Sequence, residues 1–388
     1  MINFEFYNPA KIIFGRSTEE KVGAEIKILG KSRVLLVYGG GSIKKSGLYD
    51  TVINKLKDEN ISYWELSGVL PNPRLSLVEE GIKICRENNI DFILAVGGGS
   101  VIDTAKGISL GTHYDGDVWE LFIGKGKHGT VLPIGSILTI AAAGSETSNS
   151  CVITKEEGLE KRAYNTLDII PKFAIMNPEF TFTLPEYQTS CGCSDILAHL
   201  MERYFTQTTY VDYTDRLLEA SMRTIIDYAQ MVLDDPTNYN YRAEIMWLGS
   251  LAHNGLLNTG RVGDWGSHRI EHELSGIYDI AHGAGLSIIF PAWMKYVYKE
   301  NIERFVQFAV RVFNVNLSFE NKEEIVVEGI KKLEEFFKRI KLPVYLHEVN
   351  IDNEHFKEMA DKTCKYGPVG QFKKLYSEDV EAIYNLAK

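Results

Sequence analysis

Three of the nine histidines, His268, His272 and His282, fall within one short stretch, "SHRIEHELSGIYDIAHGAG". A lone histidine on a helix is an ordinary packing residue, but three among acids and small residues favour a metal or proton-transfer site. A partner pair stands earlier in the chain. In "SDILAHLMERY", Asp195 and His199 are four residues apart. On a helix that spacing puts both side chains on one face, about 5–6 Å apart at Cβ. His268 and His272 repeat the spacing. One carboxylate and several neutral imidazoles suit Fe2+ or Zn2+, and an open coordination position would make the ion catalytic. Spacing alone nominates Asp195, His199, His268 and His272. It leaves His282 open, at a turn or helix start marked by glycines. His253 reads as a neighbour of this site or as core. His113, His128, His347 and His355 lie in polar surroundings and read as surface residues.

A second kind of chemistry is suggested by Gly-Gly-Gly-Ser, which occurs at residues 39–42 and again at 97–100. Each run follows an apolar stretch ("RVLLVYGGGS", "IDFILAVGGGS") and precedes a helical pattern. At the end of a parallel strand, glycines let backbone approach a phosphate, and the next helix offers free N–H groups. Neither run is G-x-G-x-x-G or a Walker loop, so the context rather than the motif favours nucleotide binding over plain turns. An acidic residue at such a strand end would hold a ribose 2′-hydroxyl and repel a 2′-phosphate. The first turn has Ser42, Lys44 and Lys45 and no carboxylate, which predicts NADP(H) over NAD(H).

These residues need a scaffold. Apolar Ile2, Phe4 and Phe6 alternate and predict a strand, and "KIIFG" predicts a second. Buried strands then alternate with amphipathic helices through "IDFILAVGGGS", the pattern of a parallel sheet covered on both faces. From about Leu184 apolar residues recur at helical spacing with no comparable strand signal. The expected fold is an α/β N-terminal dinucleotide-binding domain with a parallel sheet over 1–184, and an all-helical metal and substrate domain over 185–388, joined at "NPEFTFTLPEY".

Composition narrows the function. The net charge of −10, from 42 basic and 52 acidic side chains, argues against a nucleic-acid or anionic-membrane surface. Five cysteines are scattered, and Cys191 and Cys193 form C-x-C rather than a C-x-x-C pair, so reduced thiols are expected. "MINFEFYNPAKIIFG" lacks the pattern of a signal peptide, and no apolar run reaches membrane-spanning length. A cytoplasmic location is expected. The β-prone first segment could pair across a dimer or be covered by its own chain.

Taken together, "GGGSIKKSG", "GVLPNPRLSLVEEG", "AVGGGSVIDTAKGI", "LTIAAAGSETS", "SDILAHLMERY", "DWGSHRIEHELSGIYDIAHGAGLSIIFPAWM" and an early "FGR" resemble the iron-containing (group III) alcohol dehydrogenase family. The likeness is greatest to its NADPH-dependent butanol dehydrogenase and aldehyde reductase branch. The resemblance covers nearly the whole chain. It implies a dehydroquinate synthase-like architecture, an α/β dinucleotide-binding domain followed by an all-α metal-binding domain, with a metal in the cleft between them.

The resemblance also assigns roles. The metal ligands fall on Asp195, His199, His268 and His282, while His272 matches a non-ligand histidine near nicotinamide and substrate. Gly40, Gly41 and Ser42 would meet the adenosine phosphate. Gly98, Gly99 and Ser100 would cradle the pyrophosphate, with Asp103 close by. Thr139 and Ser148 would line the cofactor, and Lys161 would touch the nicotinamide ribose. The chain departs from the family at Ala141-Ala142-Ala143, where threonine or proline is frequent.

The implied reaction is reversible hydride transfer between NADP(H) and a small aliphatic alcohol/aldehyde pair such as butanol/butanal, with His272 relaying the proton. A homodimer is expected, with no nucleic-acid or membrane partner. Two other readings compete. One is a metal- and NAD-dependent lyase like dehydroquinate synthase, against which the apolar "LSIIFPAWM" speaks; the other is a metallohydrolase with purely structural glycine turns.

Overall fold

The apolar runs of the first half become one parallel sheet because each strand is buried on both faces. The computed structural model describes residues 1–317 and 321–388. Its strands are β1 (Lys11–Phe14), β2 (Arg33–Tyr38), β3 (Ser62–Leu66), β4 (Phe92–Gly97), β5 (Ile134–Leu138), β6 (Ser150–Lys155), β7 (Glu160–Asn165) and β8 (Phe173–Met176). Six of them form a sheet in the order β1-β8-β5-β4-β2-β3, every neighbouring pair parallel. Alternate residues divide between two cores. Val34, Leu36, Leu94 and Val96 join one; Leu35, Val37, Ile93 and Ala95 join the other.

The helices of this half are α1 (Val22–Ile28), α2 (Ser42–Lys45), α3 (Leu48–Asp58), α4 (Leu75–Glu87), α5 (Gly99–Thr112) and α6 (Trp119–Phe122). Helices α1 and α3 cover the first core through Val22, Ile26, Val52 and Leu56. Helices α4 and α5 cover the second through Val78, Ile82, Ile102 and Ile108. Each such fully buried aliphatic side chain contributes about 1.5–3 kcal/mol.

This layout matters for function because β2, β4 and β5 are neighbours. Their carboxyl ends bring the first glycine turn, the second glycine turn and Thr139 side by side, where open α/β sheets bind ligands.

The second half is helical: α7 (Glu186–Tyr204), α8 (Asp212–Asp234), α9 (Tyr239–His253), α10 (Gly266–Tyr278), α11 (His282–Val297), α12 (Ile302–Phe313), α13 (Lys322–Arg339), α14 (Phe356–Thr363) and α15 (Ser377–Leu386). Its core is aromatic. Phe205 stacks on Phe305 with ring centroids 4.6 Å apart and meets Trp293 at 5.3 Å. Beside it lies a buried ion network in which Asp215 takes Arg261 at 2.8 Å and Arg304 at 2.6 Å.

The chain separates into two compact units, one of Tyr7–Leu184 with Thr237–Ser250, the other of Met1–Phe6, Pro185–Pro236 and Leu251–Lys388. Most of α9 therefore belongs to the α/β unit, while its end at His253 belongs to the helical one.

One local expectation is corrected, and one element was not anticipated. Among the described residues no strand precedes Lys11. Ile2, Phe4 and Phe6 alternate, but no neighbouring strand receives them; instead the Met1 amine donates to the Thr209 carbonyl and the Ile2 N–H to that of Gly260. The antiparallel hairpin of β6 and β7 was not foreseen, because its strands mix Lys, Arg and Glu with few apolar residues.

Candidate metal centre and cofactor turns

Helix α7 is buried almost throughout its second half, an unusual setting for Asp195 and His199. Both side chains project from one face, and the Asp195 Oδ1 lies 3.4 Å from His199 Nδ1. The same oxygen is 4.0 Å from His268 Nε2 and 3.8 Å from His282 Nε2. Bonds of about 2.0–2.2 Å to a tetrahedral ion separate its ligands by roughly 3.3–3.6 Å; Asp195, His268 and His282 approach that spacing as a group, while His199 comes near it toward Asp195. Among the described residues, His199 Nδ1 and His268 Nε2 are buried nitrogens with no hydrogen-bond partner. Burial, then the neighbouring His253 and His268, push the His199 pKa well below its ordinary value. A ring held neutral keeps the lone pair that a metal needs. The donor set fits a divalent ion such as Fe2+ or Zn2+.

Two glutamates aim the imidazoles. Glu202 accepts from His268 Nδ1 at 2.8 Å and from the His268 backbone N–H at 3.0 Å. Glu271 accepts from His282 Nδ1, and the Ser275 hydroxyl donates to the same carboxylate. With Nδ1 donating, Nε2 of each ring is left as the acceptor facing Asp195. Neither glutamate was nominated from the sequence. The available signal was their position, Glu202 three residues after His199 and Glu271 three after His268.

The glycines of "HGAG" make the arrangement possible. A Cβ on Gly283 would lie 2.0 Å from the Cys191 carbonyl oxygen, and one on Gly285 would lie 2.5 Å from Glu271 Oε1. The start of α11 thus rests directly on α7 and α10, carrying His282 to Asp195. Spacing alone nominated His272 and left His282 open, and the structure brings both into clusters of possible ligands. Asp195, His268 and His282 offer ligand atoms within 4.8 Å of one another, whereas His272 groups with Glu271 and His282. His272 is buried with its ring 5.7 Å from that of His282.

Other histidines also find their places. His253 packs edge-on against His199, ring centroids 4.2 Å apart, beside the candidate centre. His128, read as a surface residue, is tied down: its Nδ1 accepts from the Tyr164 hydroxyl at 2.6 Å and its Nε2–H donates to Asp168 at 3.0 Å.

In the α/β unit, Gly41 has φ 118 and precedes α2, and Gly98 precedes α5. A Cβ on Gly99 would come 3.2 Å from the Ala143 methyl, so the second turn lies against the alanine run. Ser100 opens α5 beside it, and one turn on, Asp103 accepts from the Ser145 hydroxyl at 2.6 Å and the Val152 N–H at 3.0 Å. Burial raises the Asp103 pKa against the pull of Lys106. Lys106, fully buried, donates to the carbonyls of Ser148 and Ser150 at 2.9 and 2.8 Å. Lys161 Nζ donates to Asn72 Oδ1 at 3.0 Å, and the Thr139 N–H donates to the Gly97 carbonyl at 3.0 Å. Asn72 and Lys106 were not nominated from the sequence, although both lie within the family-like segments "GVLPNPRLSLVEEG" and "AVGGGSVIDTAKGI". Near the first turn, on the adjacent strand, Glu65 accepts from the hydroxyls of Tyr38 and Tyr49 at 2.7 and 2.8 Å. The Lys44 ammonium sits 5.1 and 4.7 Å from those two rings.

Comparison with known proteins shows the family of the chain. The family model "iron-containing alcohol dehydrogenase" matches residues 9–178, and the model of the C-terminal region of the Fe-containing alcohol dehydrogenase family matches residues 189–387. The probable NADH-dependent butanol dehydrogenase 1 of Bacillus subtilis is 46% identical over 99% of each chain. The NADPH-dependent aldehyde reductase of Escherichia coli is 32% identical, over 95% of this chain and 94% of that one. The crystal structure of NADH-dependent butanol dehydrogenase A from Thermotoga maritima superposes with a TM-score of 0.96 at 41% identity, covering 99% of this chain and 98% of the other. Among the described residues no helix is long and apolar enough to cross a membrane.

Proposed function

The chain belongs to the iron-containing alcohol dehydrogenase family, and on that premise we propose that it interconverts small aliphatic aldehydes and alcohols, butanal and butanol among them, with NADP(H) preferred over NAD(H). The observation that carries this reading is the convergence of three imidazoles on the Asp195 carboxylate, two of them aimed by buried glutamates. Asp195, His199, His268 and His282 would hold the Fe2+ or Zn2+ ion. When bound, the cation supplies Lewis acidity and the nicotinamide supplies or accepts the hydride.

The remaining chemistry belongs to the chain. His272, buried beside His282, is positioned to hold and pass the proton, which imidazole does near neutral pH at little cost. Gly98, Gly99 and Ser100 present the first N–H groups of α5 to a pyrophosphate, with Asp103, Thr139, Ser148 and Lys161 around it. Gly40, Gly41 and Ser42 receive the adenosine end. The preference for NADP(H) is supported by Lys44 and Lys45 beside this turn. The relatives' names divide on this point, NADH-dependent at 46% identity and NADPH-dependent at 32%. The division of labour puts the cofactor on 1–184 and the metal and substrate on 185–388.

A homodimer is part of the proposal. Strand β1 is an edge of the sheet, and Phe4, Phe6 and Tyr7 just before it are exposed, an edge that pairing would cover. A cytoplasmic location accords with five cysteines, none in a disulfide.

The test is the initial rate of butanal reduction with NADPH and with NADH, on protein stripped of metal and then reloaded with Fe2+ or Zn2+. Metal-dependent turnover that favours NADPH is expected. A higher kcat/KM with NADH would refute the cofactor preference, and no turnover with any metal would refute the activity.

A further inference from the structure

Trp265 adopts a left-handed backbone, φ 64 and ψ 9, immediately before α10. A bulky residue there is an outlier that surrounding structure must hold in place. Among the described residues the only other aromatic residue with positive φ is Tyr210, which is 85% exposed. Trp265 instead turns into the candidate metal centre. Its ring centroid lies 5.3 Å from His268, 6.0 Å from His199 and 5.6 Å from His253, and the Arg203 guanidinium sits 4.8 Å from the ring.

Helix capping does not account for the residue, since short polar side chains are preferred at that position and the Asp264 carboxylate already accepts the Gly266 N–H at 2.9 Å. The surroundings are built to present the ring. The Trp265 N–H donates to Glu202, the carboxylate that also orients His268. Gly263 is packed so closely that a Cβ would lie 2.9 Å from the Glu202 carbonyl oxygen and 3.2 Å from the indole Nε1. Trp265 is half-buried while His199 and His268 are buried, so this residue, next to the imidazoles, keeps some accessible surface. Indole offers area without charge.

We propose that Trp265 is the wall against which the alkyl chain of the substrate lies, and that its size sets the chain length accepted. This rests on the aldehyde and alcohol reading above. A substrate reacting at the imidazole cluster has its chain beside those rings, and the ring distances put Trp265 there.

The test combines two readouts on metal-loaded protein of verified metal content. The first is kcat/KM for the aldehydes from propanal to octanal in wild type, Trp265→Phe and Trp265→Ala. Removing the indole is expected to raise the octanal-to-propanal ratio of kcat/KM by about tenfold or more, through KM rather than through kcat for propanal. The second is tryptophan emission titrated with 1-hexanol in the absence of cofactor. A shift in wild type that disappears in Trp265→Phe is expected. A chain-length profile parallel to wild type, or an unchanged shift in Trp265→Phe, would overturn the proposal. An emission response without turnover of any aldehyde would support the wall while refuting the activity. If Trp265→Ala fails to fold, Trp265→Phe, which keeps an aromatic ring, carries both measurements.

Discussion

Glu202 accepts a hydrogen bond from Nδ1 of His268 at 2.8 Å, and the same buried carboxylate also takes the backbone N–H groups of His268 and Trp265. One side chain of α7 thereby fixes both the tautomer of a candidate ligand and the start of the helix that carries it. Partners of this kind are worth roughly 10–100-fold in metal affinity. Glu202→Gln is expected to weaken Zn2+ or Co2+ binding by about that factor while the circular dichroism spectrum is retained. Binding as tight as wild type would show that the carboxylate has no orienting role.

Gly283 supplies a steric prediction. A methyl there would press on the Cys191 carbonyl, with a Cβ only 2.0 Å from its oxygen, so α11 must move away from α7 and take His282 with it. Gly283→Ala is expected to cost about 1–3 kcal/mol of stability and to weaken metal binding as well. Urea unfolding of the metal-free protein isolates the first effect and calorimetric titration the second. A neutral result in both would mean that the helices part without consequence.

Asp264 carries the pH prediction. Burial first, then the charge of Glu202, push its pKa up to about 7, against the N–H groups of Phe372, Gln371 and Gly266. A carboxyl whose pKa is higher folded than unfolded binds a proton on folding between the two values. Its contribution to stability therefore rises as pH falls from about 7 toward about 4, by at most about 1.4 kcal/mol per pH unit. Above pH 7 the contribution is constant. In metal-free protein, unfolding free energies at pH 5, 6, 7 and 8 should show wild type gaining on Asp264→Asn only below neutrality. Parallel profiles would contradict this.

Asp215 tests the ion network. It is 3% exposed and pairs with Arg261 and Arg304, and Arg261 also donates to the Arg203 and Val211 carbonyls. Asp215→Ala leaves two buried guanidinium groups without their carboxylate and should cost about 3–5 kcal/mol. Asp361→Ala, which breaks the exposed pair with Lys357, should leave the urea midpoint nearly unchanged. Similar urea midpoints for the two variants would show that burial adds nothing to the first pair.

Much of this was legible in the chain. Val34 to Val37 and Phe92 to Val96 are apolar without a break, which only a strand covered on both faces requires, and the glycine turns follow from where those strands end. The four-residue spacing of Asp195 and His199 correctly placed both on one face of α7. The same rule does not separate His272 from His282, because spacing says which residues share a face and not which of them the neighbouring helix meets. That choice depends on Gly283 and Gly285 letting α11 approach, a contact between segments that no local pattern encodes. Glu202 and Glu271 escaped for the same reason: a glutamate on a helix looks solvent-facing until the histidine it orients is known. Phe4 and Phe6 alternate as a strand does, but a strand needs a neighbour, and none is encoded nearby.

The central claim is a cation held by Asp195, His199, His268 and His282, with His272 passing the proton rather than ligating the metal. It is tested most directly by calorimetric titration of Zn2+ into metal-stripped His272→Ala and His282→Ala, side by side with wild type. His272→Ala is expected to bind within about threefold of wild type. His282→Ala should lose more than the roughly 10–100-fold that removal of an orienting partner costs. Wild-type affinity in His282→Ala together with lost affinity in His272→Ala would contradict the account.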